Sequence, residues 1–329
     1  MEPLLLIFIG LALTFDFLNG FHDSANVVAT VIASHAMPPR PALAMTALTN
    51  FIGPFLFGVA VATTIGSEVV SEEAVTVPVA MAALVSAIVW NLVTWLLGIP
   101  SSSSHALIGG FVGAAVAGYG FGVIEIQGLM KVLLALLLSP VLGLFFGWLI
   151  TTLILWIGQG LSPRANQFFL KGQWVTSAAL GLSHGTNDAQ KTMGILAMGL
   201  LAFGVIPTFY VPTWVIAASA GAIALGTALG GWRLIKTLGA GFYRVRAVHA
   251  FASQVGSTAV ILGAALSGGP VSTTQVISSS IVGAGAAERV NKVRWSLAMN
   301  IVLAWVLTMP ATGLVGAIVY FLLIRILPS

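Results

Sequence analysis

Apolar residues fill this chain in long blocks, separated by short joints that hold most of its charges, glycines and prolines. A helix needs about 20 mostly apolar residues to cross the hydrocarbon core of a bilayer. By that measure the chain divides into the segments Pro3–Ala33, Ala42–Ile65, Thr76–Leu97, Ser102–Ala117 and Lys131–Ile157. A second set follows: Gln173–Phe203, Pro212–Trp232, Val248–Leu266, Ser272–Ala286 and Trp295–Leu322. The pattern predicts an all-α membrane protein. Ser102–Ala117 and Ser272–Ala286 are short for a span, the latter rising only about 22 Å as a helix, and each is expected to be one arm of a helical hairpin. Pro3–Ala33 and Gln173–Phe203 are over-long with polar residues and Gly midway, so they are expected to be broken helices. The chain starts Met-Glu-Pro without a basic run, and Leu4–Leu13 is therefore expected to be membrane-embedded rather than a cleaved leader.

The second set of segments repeats the first. Asn19-Gly20-Phe21-His22-Asp23-Ser24 aligns with His184-Gly185-Thr186-Asn187-Asp188-Ala189, positions 165 apart. Pro100-Ser101-Ser102-Ser103-Ser104-His105 aligns with Pro270-Val271-Ser272-Thr273-Thr274-Gln275, positions 170 apart. This predicts a first repeat over 1–157, a connector over 158–172 and a second repeat over 173–329. Each repeat has an odd number of crossings, so the second copy enters the membrane upside down. Loop charges agree. Gly66–Ala74 holds Glu68, Glu72 and Glu73, while its counterpart holds Arg233, Lys236, Arg244 and Arg246. With both termini outside, these four join Arg40, Arg164, Lys171, Arg289, Lys292 and Arg294 on the cytoplasmic face, as the positive-inside rule asks. Lys131 and Arg325 fall outside, and Lys191 lies within a span.

Composition narrows the class. The chain is 58% hydrophobic and 7% charged, against about a quarter charged for a soluble domain, so its solvent is lipid and a multi-pass place in the plasma membrane is expected. The net charge of +4 is scattered between apolar spans and does not indicate nucleic acid. Cys is absent, which removes disulfides and thiolate chemistry. A homodimer is left open.

Ionisable groups inside a membrane segment usually face a cavity or one another. Asn19, Asp23 and Asn26 stand at i, i+4 and i+7, as do His184, Asp188 and Lys191, so each trio shares a helix face. Asn187 and His22 sit beside the two aspartates. Gly20 and Gly185 are expected to let each helix unwind and free carbonyls, which with a carboxylate and an amide oxygen would suit a hard cation. The bland alternative is a pair of buried structural clusters, and Asp16, with Gly181 opposite it in the repeat, is either structural or proton-carrying. The second motif pair, Ser102-Ser103-Ser104 and Ser272-Thr273-Thr274, opens a helix in each copy. Unpaired N–H groups and hydroxyls there suit a tetrahedral oxyanion, with His105 and Gln275 as further donors or mere caps. Gly109, Gly110 and Gly113 read as close-packing positions.

These paired motifs resemble the duplicated signature of the PiT family of inorganic phosphate transporters, of the bacterial or archaeal type without the large central insertion. The resemblance covers nearly the whole chain. It implies a carrier that imports phosphate with Na+ or H+ and no other cofactor. Asp23, Asn26, Asn187 and Asp188 would bind the cation, as a sodium site if the coupling ion is sodium, and the hydroxyl-rich helix starts would bind phosphate. Asn19, His22 and Lys191 join the candidate coupling groups. Where the sodium-coupled pattern has Asn before the first aspartate, this chain has His22, a ready proton acceptor. A sulfate permease is the rival within the class. An intramembrane hydrolase using Ser103, His105 and an aspartate is the remote one, opposed by the replacement of His105 with Gln275 in the second copy. A passive anion channel is disfavoured by its carboxylates.

Overall fold

A computed structural model describes residues 2–159, 164–231, 234–235 and 241–327. The helices are α1 (Glu2–Ala33), α2 (Pro39–Leu56), α3 (Ala60–Ser67), α4 (Val77–Leu97), α5 (Ser103–Tyr119) and α6 (Ile126–Ile157). They are followed by α7 (Ala165–Ala202), α8 (Thr213–Leu229), α9 (Ala247–Leu266), α10 (Thr273–Glu288) and α11 (Trp295–Ile326). Five of them, α1, α4, α6, α9 and α11, are long and apolar enough to cross a membrane, and the bent pair α2–α3 makes a sixth. The helix α7 starts at Ala165, inside the stretch expected to be a connector.

The molecule presents an apolar outer surface, as lipid requires, and buries polar and charged side chains within. Leu137, Val141 and Trp156 on α6, and Leu303, Val306 and Leu314 on α11, are exposed. Buried within are two apolar clusters, around Phe8, Phe15 and Phe111 and around Leu180, Phe242 and Ile261, and with them Asp16, Asn19, Asp23, Asp188 and Lys191.

The halves interlock rather than sit side by side. The helix α1 packs on α8 and α7 on α2; α5 packs on α11 and α10 on α6. Glycines make these approaches close. A Cβ on Gly20 would lie 2.1 Å from the Ile223 carbonyl oxygen, and one on Gly185 would lie 2.3 Å from that of Asn50. The expectation that these glycines unwind their helices is therefore corrected. Both α1 and α7 run unbroken through them, over 32 and 38 residues, and no carbonyl is freed there for a cation. The glycines serve helix contact instead. The sharp break lies elsewhere, a 74° bend between α2 and α3. Gly109, Gly110 and Gly113 do pack closely, against Met309, Ser86 and Gly313.

Charged groups gather at two ends. Lys131 Nζ donates to Glu68 Oε2 at 2.9 Å and Thr64 Oγ1 at 3.0 Å. Elsewhere Glu288 meets Arg246 at 2.6 Å, Lys292 at 2.7 Å and His249 at 2.9 Å. The helix α11 connects these ends: it starts beside Arg294 and carries Tyr320 against Gly118 near the end of α5. Arg233 and Lys236 lie outside the described residues.

Overpacking at a tight helix contact costs about 1–3 kcal/mol. Gly20→Ala and Gly185→Ala should each lower the thermal midpoint of the purified protein in detergent. Gly10→Ala, with open space at its Cβ, should be neutral or gain about 0.5–1 kcal/mol of helix preference. Partial burial tends to raise the Glu288 carboxyl, but Lys292, Arg246 and His249 outweigh it and hold it below the ordinary range. A depressed carboxylate stabilises the fold above its unfolded pKa of about 4.3 and loses that contribution as pH falls through the folded value. The midpoint should thus drop as pH falls below that point, and Glu288→Gln should flatten the drop in a pH series of melts.

Candidate functional site

Two helix starts and two helix middles meet at the centre. Each hairpin tip follows a proline, which favours extended backbone before it and delays the helix. Ser102 and Ser272 are the N-caps, their hydroxyls accepting the backbone N–H of His105 at 3.2 Å and Gln275 at 3.3 Å. That sets residues 103–104 and 273–274 on the first turn of α5 and α10, facing the polar stripes of α1 and α7.

The aspartates take the hydroxyls. Asp23 Oδ2 accepts from Ser103 at 3.1 Å, and its Oδ1 accepts from Thr274 at 3.1 Å and from His22 Nδ1 at 2.9 Å. Asn26 Nδ2 donates to Thr274 Oγ1 at 2.9 Å. In the second half, Asp188 Oδ2 accepts from Thr273 at 2.8 Å, while Oδ1 pairs with Lys191 Nζ. Lys191 also donates to Ser104 Oγ at 2.6 Å, and Ser104 donates to the Val271 carbonyl of the other tip at 3.2 Å. Every one of these side chains is nearly or fully buried.

The two aspartates also meet each other. One ligand atom from each of Asp23, Asp188 and His184 lies within 4.8 Å of the others. His184 Nδ1 faces Asn50 Oδ1 at 3.3 Å, and the Asn50 amide nitrogen donates to Thr227 at 2.9 Å. On its other side the ring sets Nε2 3.1 Å from Asp188 Oδ2. Two carboxylates and an imidazole nitrogen so arranged can hold a cation, with Asn50 orienting the ring from behind.

The predicted residues separate into those the structure brings to this centre and those it does not. Asp23, His22, Asn26, Ser103 and Thr274 form one hydrogen-bonded set and Asp188, Lys191, Ser104 and Thr273 a second, and the two adjoin at the aspartates. Asn187 Nδ2 reaches the Gly269 carbonyl at 3.3 Å beside them. His105 Nδ1 instead bonds Ser102 at 2.7 Å and serves its own helix start, and Gln275 Oε1 accepts from Ser139 at 3.1 Å and joins α10 to α6. Asn19 is fully buried with neither amide atom bonded. The hydrolase relay is not formed, because Ser103 donates to Asp23 while His105 bonds a different serine. Sequence reasoning placed His184 in the polar stripe without assigning it to the cation, and missed Asn50 and Thr227. A lone amide within the apolar run Leu48–Leu56 was the available signal for Asn50.

A helical membrane protein of two interlocked like halves, with ionic and hydroxyl groups converging at its buried centre, is a transporter by architecture. The chain belongs to the phosphate transporter family, whose model matches residues 19–316. It is 46% identical to a probable low-affinity inorganic phosphate transporter of Rhizobium meliloti, covering 97% of this chain and 96% of that protein. It is 42% identical to one of Bacillus subtilis so described, covering 95% of each. Among solved structures, the sodium-dependent phosphate transporter superposes with a TM-score of 0.88 at 23% identity, covering 99% of this chain and 100% of that one. That likeness shows a shared fold. The resemblance seen in the motifs is thus a family membership, in a family of transporters and not of enzymes.

Thr274 ties the second hairpin tip to α1 through both Asp23 and Asn26. Removing its hydroxyl strands the Asn26 amide and one bond to Asp23, which costs about 1–3 kcal/mol in a buried site. Thr274→Val should accordingly melt lower than wild type in detergent. Thr14→Val, whose exposed hydroxyl only back-bonds Gly10, should leave the midpoint nearly unchanged.

Proposed function

We propose that this protein imports inorganic phosphate across the plasma membrane as a secondary carrier, in symport with Na+ or H+. The observation that carries the reading is the sharing of the hairpin hydroxyls with the two aspartates. Ser103, Thr273 and Thr274 are the donors suited to a tetrahedral oxyanion at a helix start, and all three are spent on Asp23 and Asp188. Stripping donors from a buried carboxylate costs several kcal/mol. The hydroxyls can turn to phosphate only if something else compensates the carboxylates, and a cation beside Asp23 and Asp188 does this. Cation and phosphate then bind as a pair because they exchange partners at one centre. On the cation side His22 and Lys191 contact the aspartates and Asn26 acts through Thr274, while the unbonded amide oxygens of Asn19 and Asn187 are open to a cation. On the anion side Ser102, Ser272 and His105 shape the helix starts and Gln275 braces α10 on α6.

The same reading has the repeats 1–157 and 173–329 inserted in opposite senses, with both termini outside. The acidic loop with Glu68 at one end of α11 and the basic cluster of Arg244, Arg246, Lys292 and Arg294 at the other support that orientation. Alternation then follows from exchange of conformation between like halves.

The test is uptake of radiolabelled phosphate into proteoliposomes under a sodium or a proton gradient, with sulfate as competitor. Phosphate should accumulate under one of the gradients, with sulfate competing poorly. Preferred uptake of sulfate would favour the permease alternative, and uptake of neither anion would refute the carrier. Asp23→Asn and Asp188→Asn should each reduce gradient-driven uptake at least about tenfold, the worth of roughly 1.4 kcal/mol, with the folded protein recovered. Wild-type uptake in both variants would remove them from the site.

A further inference from the structure

The polar centres of the two halves correspond position by position, and at one pair the correspondence breaks in charge. Asn26 and Lys191 each stand three residues after the aspartate of their half, 165 positions apart. Each reaches across to the hairpin of the other half, Asn26 to Thr274 and Lys191 to Ser104, which themselves correspond. The reach is conserved between halves while the group at its end is not. Asn26 brings a neutral amide to Thr274, whose hydroxyl turns to Asp23. Lys191 brings an ammonium that contacts Asp188 directly and stands between that carboxylate and Ser104.

We propose that the Lys191 ammonium is a tethered cation, occupying in the second half the place a dissociable coupling ion takes beside Asp23 in the first. The inference rests on the coupled-carrier reading and fixes its stoichiometry. Lys191 is 1% exposed, and Asp23 and Asp188 are 0% exposed. Two buried carboxylates left uncompensated are far costlier than one, because the penalty of net charge in a low-dielectric site rises faster than linearly with the charge. With Lys191 in place the two aspartates and the ammonium sum to one formal negative charge, which one monovalent cation or proton offsets. His22 and His184 against the aspartates and Asp16 bonded to Thr192 are the other titratable groups at this centre, and they are common to wild type and to variants at positions 26 and 191. The ammonium cannot depart with the substrate, since its stem is fixed to α7. Each cycle therefore moves one coupling charge fewer than a site with a neutral residue at 191. A purely structural Asp188–Lys191 pair would hold α7 in place without altering that count.

The decisive comparison is wild type against Lys191→Asn, which gives the second half the residue of the first, and Asn26→Lys, which gives the first half the residue of the second. The ratio of coupling charge to phosphate is read from reversal potentials in proteoliposomes under sodium and proton gradients. Lys191→Asn should move one additional positive charge per phosphate, as Na+ or H+, with the Hill coefficient for the cation rising by about one. Asn26→Lys should move one fewer and lose most of its dependence on either gradient. Lys191→Arg, which keeps a fixed charge, should retain the wild-type ratio if it transports. An unchanged ratio in both Lys191→Asn and Asn26→Lys would overturn the proposal. Should Lys191→Asn transport too little to measure, its thermal midpoint in detergent decides. That midpoint should rise with sodium concentration or with acidification more steeply than the wild-type midpoint, and equal slopes would overturn the proposal. Phosphate uptake by wild type that no cation gradient drives would instead refute the coupled carrier itself.

Discussion

A carboxylate buried in a lipid-embedded protein has to be compensated from inside, because no water reaches it and the bilayer offers no donor. Asp23 and Asp188 impose that demand at the same point, since each lies fully buried and both contribute to one close cluster with His184. The architecture around them follows from the need to bring enough donors to that point. A helix supplies side chains along one stripe only, so α1 and α7 alone cannot surround their own aspartates. The hairpin tips supply the rest. A proline and a serine cap begin each short helix within the protein, and the first-turn hydroxyls of α5 and α10 reach the carboxylates from there.

Placing four helices around one polar point forces their backbones together, and small residues make that possible. Gly20 and Gly185 lie directly against the carbonyls of Ile223 and Asn50, on the same helices and next to the same aspartates. Their closeness has a chemical result. Asn50, beside the contact with Gly185, turns its amide to His184, and Thr227, on the helix packed against Gly20, supports Asn50. Packing and site are thus not separate layers here. The residues that bring the helices close are one turn from the residues that compensate the charge.

Much of this was legible in the sequence. The duplicated motifs and the apolar blocks announced a helical membrane protein, and the stripe spacing put Asp23 and Asn26 on one helix face, where both meet Thr274. Two things were not legible. Gly beside a charged residue in an over-long apolar segment has the same appearance whether the helix unwinds there or another helix packs there. The partner that decides between them, Ile223 or Asn50, lies on another segment, and no local pattern identifies it. The division of labour among the polar residues was also hidden. The motif spacing and the family resemblance suggested a cation set on α1 and α7 and a separate anion set on the hairpins, whereas the structure ties Ser103, Thr273 and Thr274 to the aspartates themselves. Distances across segments decide this, and spacing within a segment does not contain them.

The two halves agree closely in how they pack and disagree in what they present at the centre. Gly20 and Gly185 make matching contacts, Gly113 and Gly283 each abut a carbonyl of the opposing long helix, and Pro140 and Pro310 recur within α6 and α11. Yet Asp16 faces Gly181, His22 faces Asn187 and Asn26 faces Lys191 across the same correspondence. Under the proposed exchange of conformation between the halves, packing has to be alike in both for one arrangement to convert into its counterpart at comparable free energy. The charges face a different constraint, since both aspartates contribute to a single cluster whose total must balance once. A residue pair at the centre can therefore differ without upsetting the scaffold, provided the sum is kept, and it is at such pairs that one fold can be fitted to different ions.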